Sequence, residues 1–192
     1  MKYYIDITLL PDAEANLGFL WQKVYQQVHL ALVENKIAEN QSAIAVSFPK
    51  YRDKQFPLGD KLRLFANEQT QLEQLDIGQW LNRLTDYSHY TSIKQVPTSI
   101  NQYACFKRKQ VDTNIHRLAK RRAQRKGETL EQALTHLEGF SDKETKLPFI
   151  NMHSLTTENQ FRFFIEQIVS DKSEAGDFNC YGLSKKGNIP LF

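Results

Sequence analysis

Between Lys2 and Val96 two hydrophobic periods alternate in an order that few folds accept. Lys2 to Leu10 sets Tyr3, Ile5, Ile7 and Leu9 on one side and Tyr4, Asp6 and Thr8 on the other, the pattern of a strand closed by Pro11. Leu17 to Glu34 places Leu17, Leu20, Trp21, Val24, Val28, Ala31 and Leu32 on a single helical stripe. Two strands follow: Ala43 to Phe48, with Ile44, Val46 and Phe48 inward before Pro49, and Lys61 to Ala66, with Leu62 and Leu64 inward. The charged segment between them contains Pro57 and Gly59 and reads as a loop. Glu68 to Leu84 reads as two short helical pieces divided near Gly78, and Ser92 to Val96 as a closing strand ahead of Pro97. Strand, helix, strand, strand, helix, strand is the order of a ferredoxin-like half, a layout shared with many RNA-binding modules. The order alone does not specify function, and neither central strand shows the aromatic signature of face-on base stacking.

The character changes after Pro97, which sets the expected division into residues 1–97 and residues 98–192. The predicted fold class is α+β: a ferredoxin-like (RRM-like) half followed by a smaller α/β half bearing an arginine-rich helix. Tyr103 to Gln110 reads as an extended linker into that helix. Asp112 and Thr113 are good N-caps, and Gly127 is a natural stop. At 100° per residue Arg117, Lys120, Arg121, Gln124 and Arg125 share one arc, while Ile115, Leu118, Ala119 and Ala123 lie opposite.

Charge is concentrated in this stretch. Residues 107–126 hold nine of the 25 Lys and Arg residues and, of the 22 acidic residues, only Asp112. The formal net charge of +3 is therefore local, and the rest of the chain is net acidic. A cationic helical face raises the potential where a phosphate backbone could lie. Arg predominates there and Glu partners are missing, which favours a binding surface over a solvated face, because Arg suits bidentate phosphate or guanine contacts.

Farther on, Thr129 opens a helix with a Thr-x-x-Gln capping box to Gln132, and Gly139 ends it. Phe149 to Thr156 reads as a strand with Ile150, Met152, Ser154 and Thr156 on one face and His153 on the other. Phe161 to Val169 is a strand aligning Phe161, Phe163 and Ile165. Asp171 to Asp177 is a polar loop, and the end reads as a hairpin around Lys185 to Asn188, with Ile189 to Phe192 tucked against the core.

Hydrophobic residues at 41% and charged residues at 24% are globular values. The first apolar run, Ile5 to Leu10, is too short for a signal peptide or a span, so no membrane association and a cytoplasmic location are expected. Cys105 and Cys180 lack CxxC spacing and are expected as free buried thiols. The five His residues do not pair with carboxylates at metal-ligand intervals, and no Gly-rich phosphate loop occurs, so neither metal nor cofactor is expected.

The segments VHLAL, IAVSFP, the RKQ triplet before the Arg-bearing helix, HSLT, FRFFI and the terminal CYGLSKKGNIPLF carry a resemblance over nearly the whole chain. Together they resemble the CRISPR-associated endoribonuclease of type I-F systems, the Csy-type repeat processor, with YGLSK the most specific part. The resemblance implies metal-independent cutting of precursor CRISPR RNA at the base of a repeat hairpin. It also implies retention of the mature guide RNA (crRNA) as a subunit of the interference complex. Residue by residue, His29 matches the catalytic base that deprotonates the attacking 2′-hydroxyl, Ser154 the Ser that positions that nucleotide, and Tyr181 the Tyr that orients the His. Arg108 and Gln110 match the pair that reads bases at the foot of the stem. Arg121 and Arg125 match helix residues that track the major groove, with Arg117 and Lys120 on the same face, and Phe161 matches an aromatic that stacks on the basal nucleotide.

Elementary chemistry agrees with these roles. A 2′-hydroxyl attacking the adjacent phosphate needs a base that is neutral yet proton-accepting near pH 7, which suits imidazole at about 6.5. Positioning supplies much of the remainder, and the resemblance implies a 2′,3′-cyclic phosphate and a 5′-hydroxyl as products. By spacing alone, however, His29 fits a structural histidine at the edge of an apolar stripe, and Phe161 fits a core residue. His153, beside Ser154, is a second candidate base. A non-catalytic RNA-hairpin binder and a helix-turn-helix DNA regulator are the competing classes, separable by cutting and by preference for duplex DNA.

Overall fold

The computed structural model describes residues 1–111, 115–137, 145–154 and 157–192. Packing divides it into two units, residues 1–109 with 148–192, and residues 110–147.

In the larger unit β1 (Tyr3–Leu9) leads into α1 (Leu17–Glu34), whose N-cap Asn16 accepts the Phe19 N–H. A small hairpin, β2 (Lys36–Ala38) and β3 (Gln41–Ser42), precedes β4 (Ala45–Ser47) and β5 (Lys61–Ala66). Then come α2 (Gln69–Leu75), α3 (Ile77–Trp80), a 3-10 turn (Asn82–Leu84), β6 (Ser88–Tyr90) and β7 (Lys94–Gln95). The first sheet is antiparallel in the order β4-β5-β1-β6, with β7 also paired to β1. The α1 stripe is buried from Leu20 to Leu32 as the periodicity predicts, with Tyr25 added to it and Leu17 only partly covered. Together with Ile5, Ile7, Leu62 and Leu64 it belongs to one continuous core.

The second sheet takes its strands from beyond residue 98, in the antiparallel order β11-β8-β10-β9. These are β8 (Tyr103–Lys109), β9 (Phe149–His153), β10 (Gln160–Ser170) and β11 (Ile189–Pro190). Ala104, Phe106, Ile150, Met152, Phe163 and Ile165 turn into the same core as the first sheet. Phe48 meets Phe106 edge-on at 5.2 Å, and the Tyr51 hydroxyl donates to the Ile165 carbonyl at 2.8 Å.

Several sequence expectations change here. Residues 103–109 form a seven-residue strand inside the second sheet, not a linker; its apolar half is only Ala104 to Phe106, and the Lys107-Arg108-Lys109 end hides the alternation. The closing strand of the first half is two short pieces, 88–90 and 94–95, instead of Ser92 to Val96. The helical break lies at Asp76, in the left-handed region at φ 41°, while Gly78 is inside α3. Gly78 instead lies under the Tyr90 hydroxyl, which a Cβ there would approach to 2.3 Å and would displace. The 149–156 strand stops at His153, leaving Ser154 beyond its end. The chain terminus makes no regular hairpin around 185–188; Ile189 and Pro190 pair with Ala104 and Tyr103 of β8.

The smaller unit contains α4 (Ile115–Lys126) and α5 (Leu130–Thr135). Gly127 follows α4 at φ 68°, and the Thr129–Gln132 capping box opens α5 with both reciprocal bonds made. Ala119 and Ala133 are buried. The expected caps Asp112 and Thr113, and the stop at Gly139, lie outside the described residues.

One polar feature ties the first sheet to the end of the chain. Asp6 and Arg63 sit directly opposite across β1 and β5, and Arg63 makes a bidentate pair through Nε (2.6 Å) and an NH2 group (3.0 Å). Its remaining NH1 group donates to the Phe192 backbone oxygen at 2.9 Å, while the guanidinium lies 4.0 Å from the centre of the Phe192 ring. Removing one partner of so buried a pair leaves a charge without compensation, at a cost of about 3–5 kcal/mol. Asp6→Ala should therefore lower the unfolding free energy by about that amount in urea titrations, and a loss below about 1 kcal/mol would refute the assigned role of the pair.

Candidate active site

His29 stands on the solvent-side edge of α1, four residues after Tyr25, because the stripe that buries Tyr25 and Val28 ends there. Its Nδ1 lies 2.8 Å from the Cys180 carbonyl oxygen. A carbonyl can only accept, so Nδ1 carries the proton and the lone pair of the neutral ring is on Nε2. The Tyr181 ring lies flat on the imidazole, with centroids 3.9 Å apart and planes 2° from parallel. Tyr181 is held in turn by Phe163 at 4.7 Å and by the Tyr25 hydroxyl, which donates to its backbone oxygen at 2.9 Å.

The segment bearing Cys180 and Tyr181 is fixed by backbone bonds to the first half of the chain. Ser42 N–H donates to Phe178 O, and Val46 N–H donates to Gly182 O, both at 2.8 Å. Gly182 has φ 70°, and a Cβ there would fall 2.2 Å from Val46 Cγ2, so only glycine allows this approach. Asn179 closes the turn, its Oδ1 accepting the Tyr181 N–H at 2.8 Å.

Arg108 emerges from the end of β8 on the face of Phe163 and Phe161. Its guanidinium carbon is 5.1 Å from the Phe163 ring, 5.4 Å from Phe161 and 5.9 Å from Tyr181. The guanidinium is thus held over aromatic faces while the residue remains exposed, leaving its donors to a ligand. Phe161 is half-buried and so offers ring surface outward, unlike buried Phe163.

Ser154 follows β9. Its N–H donates to Asn159 O at 2.9 Å and its Oγ accepts the Thr157 N–H at 3.3 Å, and among the described residues the hydroxyl proton has no acceptor. The preceding residue is tied to α1 through Gln26, whose Oε1 accepts the His153 N–H at 3.4 Å. Ser154 therefore reaches the His29 helix through Gln26, without a bond to His29 itself.

In the smaller unit Lys120, Arg121, Gln124 and Arg125 of α4 are exposed, and Arg117 lies within the same helix. Gln110 is exposed just past β8. Among the described residues, two basic residues of the 107–126 stretch have acidic partners: Arg122 pairs with Glu128 at 2.9 Å, and Lys109 with Glu166 at 3.5 Å. Both Glu residues lie outside the stretch, so counting charges inside it could not find them.

Sequence reasoning missed the supports of this cluster. Tyr25 was discoverable, standing one turn before His29 on the stripe side. The Cys180 carbonyl was not, since a backbone acceptor leaves no mark in residue identity.

Burial holds the His29 pKa below its ordinary 6.5, and the bond to Cys180 opposes that shift only in part. Burial also raises the phenols of Tyr181 and Tyr25, so both stay neutral at physiological pH. The site therefore presents a neutral imidazole whose free Nε2 can take a proton, stacked on the Tyr181 ring, which the Arg108 guanidinium also approaches at 5.9 Å. Because the folded pKa is depressed, the stability contributed by the neutral ring is present above about 6.5 and is lost as pH falls through the folded value. An NMR titration of the free protein should show a His29 midpoint below about 6.5 with the Nδ1–H tautomer above it; a midpoint above that value would contradict the assignment.

The family model described as CRISPR-associated protein (Cas_Csy4) matches residues 4–192. A relative from Escherichia coli (strain UTI89 / UPEC) is 34% identical and one from Pseudomonas aeruginosa (strain UCBPP-PA14) 33% identical. Each alignment runs over 193 residues and covers 100% of both chains, and each relative is named CRISPR-associated endonuclease Cas6/Csy4. A match across both sheets, from β1 to the terminal segment that holds His29, places this chain in the Cas_Csy4 family of CRISPR-associated proteins.

Proposed function

We propose that this protein is an endoribonuclease that cuts CRISPR repeat hairpins in precursor RNA, using His29 as the base, and then stays bound to the mature guide RNA within an interference complex. The observation that carries the reading is the fixed tautomer of His29, stacked on a Tyr181 ring that the Arg108 guanidinium also approaches. It is supported by full-length relatives named as CRISPR-associated endonucleases. We read the antiparallel order β4-β5-β1-β6 as the ferredoxin-like arrangement, and α4 as the arginine-rich helix that docks on the stem.

In this mechanism Nε2 of His29 takes the proton of the 2′-hydroxyl. The oxygen forms a bond to the adjacent phosphorus and expels the 5′-oxygen, which takes a proton from solvent and leaves as a hydroxyl, while the His29 imidazolium returns its proton to solvent. The products are a 2′,3′-cyclic phosphate and a 5′-hydroxyl, and no metal takes part. Ser154 donates to the reacting nucleotide and keeps its hydroxyl in line. Tyr181 holds the imidazole plane, so that the base cannot rotate away from the attacking oxygen. Phe161 stacks on the nucleotide at the foot of the stem.

Recognition divides by chemistry. Deep A-form major grooves admit few base contacts, so Arg117, Lys120, Arg121 and Arg125 contact mainly phosphates, whereas Arg108 and Gln110 suit bidentate bonds to guanine and adenine edges.

Incubation with a repeat hairpin in EDTA should give cutting at one position; tight binding without cutting would identify a non-catalytic binder instead. His29→Ala should lower single-turnover cleavage by about 10² to 10⁴ with hairpin affinity nearly unchanged, and His153→Ala should do much less. Normal cutting by His29→Ala would defeat the proposed mechanism.

Four phosphate contacts predict a log K against log salt slope of roughly −3 to −4, and Arg121→Ala with Arg125→Ala should flatten it. Unchanged affinity in that variant would remove α4 from the interface. Arg108→Ala or Gln110→Ala should each cost about 1–3 kcal/mol on the cognate hairpin and less on hairpins with altered basal pairs, whereas equal losses on all stems would leave these residues as phosphate contacts.

A further inference from the structure

Along α1, half-buried Gln26, which accepts the His153 N–H, stands one turn before His29, and exposed Lys23 one turn before Gln26, a row about 9 Å long. Gln27 flanks it, and no acidic residue lies on α1 before Glu34. The row ends at a cleft of about 370 Å³ between α1 and the α3 region, lined by Lys23, Gln27, Gln79, Trp80, Asn82 and Arg83. Lys23 and Arg83 are exposed, and among the described residues neither is in an ion pair. Lys23 instead lies 5.3 Å from the centre of the Phe19 ring, which is itself 47% exposed. The half-buried Trp80 gives the cleft an aromatic wall.

We propose that this cleft holds the single-stranded RNA on the 3′ side of the cut, the segment that leaves after cleavage. The inference rests on the proposed endoribonuclease function, which puts the foot of the stem at Arg108 and Phe161 and the scissile phosphate at His29. The strand beyond that phosphate is unpaired. What it needs is a surface of the kind found here: cations for phosphates, aromatic surface for a base, and amides that accept any sequence. None of these residues belongs to the cluster around His29 and Tyr181, so the cleft would act on how the downstream strand is held and not on the chemical step.

The test uses the full-length protein and a repeat hairpin made uncleavable by a 2′-deoxy nucleotide at the mapped cut. One form ends at the cut, a second carries a short uridine tail on the 3′ side, and a third carries the same tail on the 5′ side. The 3′ tail should raise affinity about tenfold, the scale of one stacked base with its phosphate contacts. Lys23→Gln combined with Arg83→Gln should abolish that gain and leave the tail-less hairpin bound as tightly as before. The inference fails if the 3′ tail adds nothing, if only the 5′ tail adds affinity, if the double variant keeps the gain, or if it weakens the tail-less hairpin equally. Failure of the tail-less hairpin to bind wild-type protein would remove the proposed function itself, and this assignment with it.

Discussion

The hydrogen bond from His29 Nδ1 to the Cys180 carbonyl is the constraint on which the site depends. It joins the first helix to a turn near the other end of the chain, fixes which ring nitrogen is free, and does so with a neutral acceptor. A carboxylate in that place would raise the imidazole pKa, but a carbonyl does so only weakly, so burial prevails and the ring stays neutral. The flat stack of Tyr181 adds orientation without adding charge. A histidine held in this way is prepared to accept a proton, not to carry one.

Keeping that bond requires both sheets. The 178–184 segment is pinned by Ser42 and Val46 from the first half of the chain and by the Phe106 carbonyl, which accepts the Ser184 N–H at 3.1 Å, from the second. Gly182 is the point of closest approach, where any side chain would collide with Val46. The Asp6–Arg63 pair performs the matching task at the last residue, using a buried charge to hold the Phe192 backbone oxygen against the outer face of the first sheet. These long-range ties explain how catalytic candidates 152 residues apart in sequence become stacked neighbours: the packing of the two sheets sets their distance.

Legibility in the sequence followed the range of the forces involved. The α1 stripe and the β5 strand could be read to the residue because their periodicity is long, or sharply bounded by loop signals. The Thr129 capping box was equally legible, being a local exchange of two hydrogen bonds. By contrast β8 looked like a linker, since three cations at its end outweigh a short apolar half and its place in the sheet depends on β10, far away in sequence. The helix break falls at Asp76, in the left-handed region, and not at Gly78, which packs under the Tyr90 hydroxyl, a tertiary contact. At the site, the resemblance named His29 and Tyr181, but neither residue type discloses the carbonyl that sets the tautomer, nor Gln26 as the link from α1 to the strand before Ser154.

The central claim, that His29 in its neutral form takes the proton, is tested most directly by the pH dependence of cleavage with enzyme below saturation, where the profile reports the free protein. The account predicts a rate that falls on the acid side with an inflection below about 6.5, matching the His29 titration, and no such inflection in the residual activity of His29→Ala. A profile flat through that range, or an acid limb that survives in His29→Ala, would contradict it.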